Sequence, residues 1–265
     1  MLYNAKEGKL NIEDASFDYI QFGTGAKTLI MIQGLNTNGI KGAALSLAYL
    51  YRIFAKEYTV YLFDRRKEVY GGITVRDFAF DIAMAMDRLG LKNADVIGVS
   101  QGGLIAQNLA AIRPDLVHKL VLAVTASRSN ETIENTIGNW IGLTLQGDFK
   151  GLVKDMAEKM YSDAYIKKYQ PFMPLLTLIQ KPKDINRFLV LTLSCLTGDS
   201  YDLLDEIKCP VFVIGGKLDK VVSGAASEEI AEKLGCEIYM YESLGHAAYE
   251  EARDFNERIL EFLRK

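Results

Sequence analysis

The chain has 265 residues, a formal charge of −3 and 49% hydrophobic residues, with 34 acidic against 31 basic side chains. That composition supports a large core and excludes a disordered chain, and the interspersed, nearly balanced charge speaks against a nucleic-acid or anionic-membrane partner. No apolar run nears the ~20 residues of a membrane span, and the polar start MLYNAKEGKLNIED has no signal-peptide core, so the expectation is a cytoplasmic protein.

Lys9–Asp14 and Ser16–Phe22 alternate polar and apolar residues, the pattern of a half-exposed antiparallel pair. Thr28–Gly34 (TLIMIQG) is a continuous apolar run ending in glycine, which reads as a buried strand inside a parallel sheet. Helix and strand then alternate. A helix over Ala43–Lys56 precedes a strand over Tyr58–Asp64. A helix over Thr74–Leu89, with Thr74 as N-cap and Asp77 in its first turn, precedes a strand over Ala94–Ser100. A helix over Gln101–Arg113 and a strand over Val117–Ala126 follow. Such alternation implies an α/β fold, a mostly parallel central sheet flanked by helices on both faces.

From Ser127 to Cys209 the rhythm breaks into the helical stretches FKGLVKDMAEKMY, SDAYIKKY, PFMPLLTLI and DINRFLVLTLSCL, punctuated by Pro171, Pro174, Pro182 and Gly198. It resumes with a strand over Pro210–Gly216, a helix over Ser223–Leu234, the strand CEIYMYES and a last helix over Ala248–Arg264. The expected organisation is a core of residues 1–126 and 210–265 carrying an all-helical insertion at 127–209. Cys195, Cys209 and Cys236 are far apart, form no C-x-x-C and read as buried small hydrophobes.

The stretch ADVIGVSQGGLIA puts Ser100 between Gly98 and Gly102 where a strand becomes a helix. G-x-S-x-G in that context is a nucleophile elbow, a turn so sharp that glycines must flank it and the hydroxyl is pushed out at a helix N-terminus. The letters alone are a weak signal in a chain with 22 glycines, so the partners decide. An elbow serine needs an acid and then a histidine later in the chain. Of two histidines, His246 sits in SLGHAAYEE, after a strand and before the last helix, where ligands meet open α/β sheets. His118 opens a strand and reads as a rim residue at the opposite end. Asp219 leaves the strand PVFVIGG at its carboxyl end. The competing Asp199 and Asp205 precede that strand, and Glu242 falls within CEIYMYES. The order Ser100, Asp219, His246 is therefore the expected catalytic set.

These residues resemble the α/β-hydrolases, in their cap-bearing serine esterase, lactonase and haloperoxidase-like branch. The resemblance runs nearly end to end through GVSQGG, RPDLV, LLDEIKCPVFVIGGKLD and LGH, and is loose in the insertion. It implies an α/β-hydrolase fold with 127–209 as a helical cap, and an oxyanion hole made by the backbone N–H groups of Leu35 and Gln101. Some members carry the acid after the strand before the insertion, but here that site reads AVTASRSN and has no carboxylate. Two departures stand out. Gln33-Gly34 replaces the usual His-Gly, and FDRRKEVYGGIT keeps only Asp64 and Arg66 of an Asp-x-Arg-Gly stretch, with Lys67 for glycine. The latter residues read as structural.

The expected reaction is hydrolysis of a carboxylic ester or lactone of a small, largely apolar molecule through an acyl-enzyme, with no metal and no organic cofactor. Two histidines on separate strands make no histidine-rich metal site, and GTGAKT near residue 23 resembles a phosphate loop but lacks its Gly-Lys pair. A lyase, C–C bond hydrolase or perhydrolase on the same triad, or a non-catalytic receptor of this fold, is the alternative. Trp140, Met156, Met160, Tyr161, Phe172 and Met173 of the insertion are candidates to line an apolar pocket. A monomer or homodimer is expected.

Overall fold

The structure is a computed structural model that describes residues 2–265; Met1 and the side chains at 2, 173, 174, 176 and 177, hence that of Met173, lie outside the description. Its strands are β1 (Lys6–Ile12), β2 (Ala15–Phe22), β3 (Lys27–Ile32), β4 (Tyr58–Phe63), β5 (Ala94–Val99), β6 (Val117–Ala123), β7 (Val211–Gly216) and β8 (Glu237–Tyr241). They form one sheet in the order β1-β2-β4-β3-β5-β6-β7-β8. β1, β2 and β4 pair antiparallel, and every pairing from β4 to β8 is parallel. The fold class read from the alternation is the one observed.

The helices are α1 (Ala44–Leu50), α2 (Val75–Leu89), α3 (Gln101–Ile112), α4 (Glu131–Leu145), α5 (Phe149–Met160), α6 (Asp163–Tyr169), α7 (Met173–Gln180), α8 (Ile185–Leu196), α9 (Gly224–Leu234), α10 (Ala248–Glu251) and α11 (Phe255–Arg264). α2 starts with a full capping box between Thr74 and Asp77 and stops at Gly90, whose φ of 69° ends the helix in the left-handed region. Apolar residues of α2, α3 and α9 bury one face of the sheet, and those of α1 and α11 bury the other. α4 to α8 fill the span between β6 and β7. Their own apolar core, with Ile133, Ile137, Trp140, Leu152 and Phe188, closes on Val221 and Val222 beyond β7.

Several boundaries differ from the sequence reading. β1 starts three residues earlier, because Lys6 already pairs with Gln21. The helix expected over Ala43–Lys56 is regular only to Leu50 and continues as turns. β6 stops at Ala123, since Val124 takes φ 45° and leaves the sheet. The single C-terminal helix is two, broken at Ala252, whose backbone is extended. α4 was not among the expected helices. Its threonines, isoleucines, Gly138 and Gly142 carry low helix propensity, and packing of α4 against α8 overrides it. Among the described residues, no helix is long and apolar enough to cross a membrane.

Candidate active site

β5 ends at Val99 and α3 begins at Gln101. Ser100 alone makes the turn, with φ 54° and ψ −121°, a backbone that a side chain resists. Its neighbours hold it. The Ser100 N–H donates to the Ala123 carbonyl (2.9 Å), and the Ser100 carbonyl accepts from the Gly103 N–H (2.8 Å) and the Thr125 hydroxyl (2.7 Å). The flanking glycines are required by close approach: a β-carbon at Gly102 would lie 2.0 Å from the Ile32 carbonyl oxygen, and one at Gly98 would lie 2.5 Å from that of Gly102. Val124 (φ 45°) and Ser223 (φ 74°) are also held left-handed, so strain gathers at the carboxyl rim of the sheet.

His246 lies in the loop between β8 and α10, pinned where the Ala247 N–H donates to the Met160 carbonyl at 2.8 Å. Its Nε2 is 3.0 Å from Ser100 Oγ and its Nδ1 is 2.8 Å from Asp219 Oδ2. The other Asp219 oxygen accepts the N–H groups of Val221 (2.8 Å) and Val222 (2.9 Å), which orients the carboxylate. Both side chains are buried, at 4% exposure for His246 and 2% for Asp219. A proton on Nδ1, shared with Asp219, leaves Nε2 free to accept from the serine. The competing carboxylates are elsewhere. Asp199 accepts from the Tyr201 N–H (3.0 Å), Asp205 pairs with Lys233 (2.7 Å) and Glu242 pairs with Lys217 (2.9 Å). Glu242 is not within a strand as expected: β8 ends at Tyr241, and Glu242 opens the following turn.

The chain leaving β3 passes directly beside the serine, and a β-carbon at Gly34 would stand 3.1 Å from that of Ser100. Leu35 and Gln101 line one chamber with Ser100, and among the described residues neither of their backbone N–H groups has a protein acceptor. The departure at Gln33 has a structural counterpart that sequence reasoning missed. The buried Arg65 guanidinium donates to the Gln33 and Gly34 carbonyls, both at 2.7 Å, and so holds this loop from behind. Burial pulls Arg65 below its ordinary pKa while Asp64 opposes that shift. A run of adjacent arginines in FDRRK was the available signal, but nothing in the string says that one of them turns inward. Arg66 is instead locked to buried Asp81, with contacts of 2.6 and 2.8 Å.

α8 closes the other side. The Gln101 carboxamide nitrogen donates to the Leu191 carbonyl (2.7 Å) and to Ser194 Oγ (3.0 Å), while its buried oxygen has no partner among the described residues. Arg187 of α8 reaches Asp64 Oδ1 (3.4 Å) and the carbonyls of Arg65 (3.2 Å) and Arg66 (3.4 Å).

The chamber at Ser100 is small, about 50 Å³, and mostly apolar, with Trp140, Met156, Met160 and Cys195 in its wall. Burial pushes the Cys195 thiol up to about 12, so it stays protonated and unreactive near neutrality. A second chamber of about 440 Å³ shares Leu35, Met156 and Met160 with the first and includes Tyr161. Phe172 lines neither. It sits in the short turn Gln170–Phe172 that faces solvent and is 56% exposed, which removes it from the expected pocket. Among the described residues, no group of three or more His, Cys, Asp or Glu could hold a metal ion.

Comparison with known proteins follows the same lines. A family model described as alpha/beta hydrolase fold matches residues 27–170. "Putative carbamate hydrolase RutD" of Rhizobium rhizogenes is 27% identical over 90% of this chain and 93% of that protein. The pimeloyl-[acyl-carrier protein] methyl ester esterase of Neisseria meningitidis is 29% identical over 64% of this chain and 69% of its own length. The crystal structure of the enol-lactonase from Burkholderia xenovorans LB400 superposes with a TM-score of 0.84 at 18% identity, over 97% of this chain and all of that one. With the family model spanning more than half of its length, the chain belongs to the alpha/beta hydrolase fold family and is a hydrolase.

Proposed function

We propose that the protein is a serine hydrolase that cleaves a carboxylic ester or lactone of a small, largely apolar molecule through an acyl-enzyme. The observation that carries this reading is the unbroken line from Asp219 through His246 to Ser100, with contacts of 2.8 and 3.0 Å. Ser100 Oγ attacks the carbonyl carbon while His246 Nε2 takes its proton. Asp219 holds the imidazole tautomer and stabilises the imidazolium. The Leu35 and Gln101 N–H groups receive the oxyanion, helped by the N-terminus of α3; one such donor is typically worth about 10²–10³-fold in rate. His246 then protonates the leaving alkoxide. In the second half-reaction it activates a water, which attacks the acyl carbon and frees Ser100.

Residues 127–209 act in this reading as a cap over the core formed by 1–126 and 210–265, and Trp140, Met156 and Met160 shape the site beneath it. The first chamber has room for about four water-sized positions at roughly 10–15 Å³ each. That size favours a short acyl group beside Ser100.

A fluorophosphonate probe tests the nucleophile: it should label one residue, mapped to Ser100, and label nothing in Ser100→Ala. A panel of p-nitrophenyl esters of rising acyl length, run beside lactones, should give the highest kcat/KM at two to four carbons. Labelling at a cysteine, or a steady rise in kcat/KM up to long acyl chains, would reject the reading.

A further inference from the structure

Gly34 and Leu35 line the chamber at Ser100, and the buried Arg65 behind them does not. The two terminal nitrogens of Arg65 go to two successive main-chain carbonyls, Nη1 to Gln33 and Nη2 to Gly34, both at 2.7 Å. A guanidinium is a rigid planar fork, so this pair of contacts fixes the direction of the peptide units as well as their place. The Gly34 carbonyl and the Leu35 N–H belong to one peptide unit. That unit is trans, and in a trans peptide the C=O and the N–H point in opposite directions. With its carbonyl turned to Arg65, the unit presents the Leu35 N–H to the other side, where Leu35 meets the chamber.

The surroundings keep it there. One residue further on, Asn36 Nδ2 donates to Asp64 Oδ1 at 3.2 Å, so the chain is held on both sides of Leu35 by the adjacent Asp64 and Arg65. Asp64 also takes Arg187 at 3.4 Å. Two arginines thus share one aspartate, and these three residues carry one positive charge in excess. A buried guanidinium is costly unless a carboxylate answers it. Arg66 next door is answered in full by the two contacts to Asp81. Arg65 is not: its Nε stands 3.9 Å from Asp64 Oδ1 and has no hydrogen-bond partner among the described residues. Its hydrogen bonds go to the loop beside the serine instead of to a counter-ion.

We infer that Arg65 is the positioning residue of the oxyanion hole: it holds the Gly34–Leu35 peptide with the Leu35 N–H aimed at the carbonyl oxygen of a substrate on Ser100, and its charge favours the negative oxygen that forms there. The inference rests on the ester-hydrolase reading. Freed from Arg65, the peptide can turn over, which exchanges a donor for a carbonyl oxygen and sets that oxygen against the oxyanion. The ground-state carbonyl carries far less charge than the oxyanion, so the loss falls on the transition state and on kcat.

The test measures p-nitrophenyl acetate hydrolysis and the inhibition constant of a short-chain trifluoromethyl ketone, whose adduct with the serine places an oxyanion in the hole. Arg65→Met should lower kcat about 100-fold with KM within about threefold of wild type. Arg65→Lys keeps the charge but reaches one carbonyl instead of two, and should lose about tenfold. In both, the ketone should bind more weakly by the factor lost in kcat/KM. Arg66→Lys is the control for a buried arginine with a structural tie alone, and should lower the melting temperature with kcat unchanged. If Arg65→Met does not fold, as judged by its melting curve, Arg65→Lys decides both measurements. A kcat within about twofold of wild type, a loss carried wholly by KM, unchanged ketone affinity, or an equal loss of kcat in Arg66→Lys overturns the inference and leaves the esterase reading intact. A wild-type protein that neither cleaves an ester nor takes the fluorophosphonate at Ser100 overturns that reading, and the inference falls with it.

Discussion

The molecule contains two aspartate–histidine pairs of the same length. His246 Nδ1 and Asp219 Oδ2 are 2.8 Å apart, and so are His118 Nδ1 and Asp95 Oδ1. The first pair stands in loops at the carboxyl ends of β7 and β8, and the second on the amino ends of β5 and β6. What differs is the company. His246 is buried and turns its second nitrogen to Ser100, at a helix N-terminus beside a small apolar chamber. The His118 side chain is 51% exposed, and the second oxygen of Asp95 is taken by the Tyr58 hydroxyl at 2.9 Å. A dyad is therefore no signature of catalysis. In the proposed reaction the same contact orients the base where a strained nucleophile meets it, and it ties two strands where a buried tyrosine does.

Mutating the two pairs in parallel is the direct way to break this contrast. His246→Ala should lower kcat for a good p-nitrophenyl ester on the order of 10⁶-fold, the scale seen when the base of a serine triad is removed. Asp219→Asn should follow at about 10⁴-fold, because the wrong imidazole tautomer is then favoured, with little change in melting temperature. Asp95→Asn inverts the pattern. It leaves kcat within about twofold but costs about 1–3 kcal/mol of stability in denaturant titration, since the buried Tyr58 hydroxyl loses its charged acceptor. His118→Ala should be the mildest, within about 1 kcal/mol and with unchanged kinetics, as expected for a mostly exposed imidazole. A loss of activity in His118→Ala comparable to that in His246→Ala would erase the distinction.

The contrast also marks what the sequence makes legible. The order of strands and helices was readable because each buried strand is a short apolar run closed by a turn, and Ser100, Asp219 and His246 all leave such runs at the carboxyl end. His118 could be set aside for the converse reason. The chamber walls were less readable. Trp140, Met156 and Met160 face the serine, but Phe172, drawn from the same pool of large apolar residues, faces solvent. Side-chain type fixes the tendency to be buried, while the curvature of packed helices decides against what. Arg65 was out of reach altogether. It is a charged residue among charged neighbours, and only the fold tells that it turns inward.

The anchoring of α8 has a mechanical consequence. This helix is tied to the loop after β4 through Arg187 and to the turn after Ser100 through Gln101. It therefore behaves as a door jamb: displacing α8 would drag on the residue that follows the serine, as displacing the end of α5 would drag on Ala247 beside His246. In hydrogen exchange, the amides of α8 should consequently protect with the sheet, and those of α6 and α7 should exchange first.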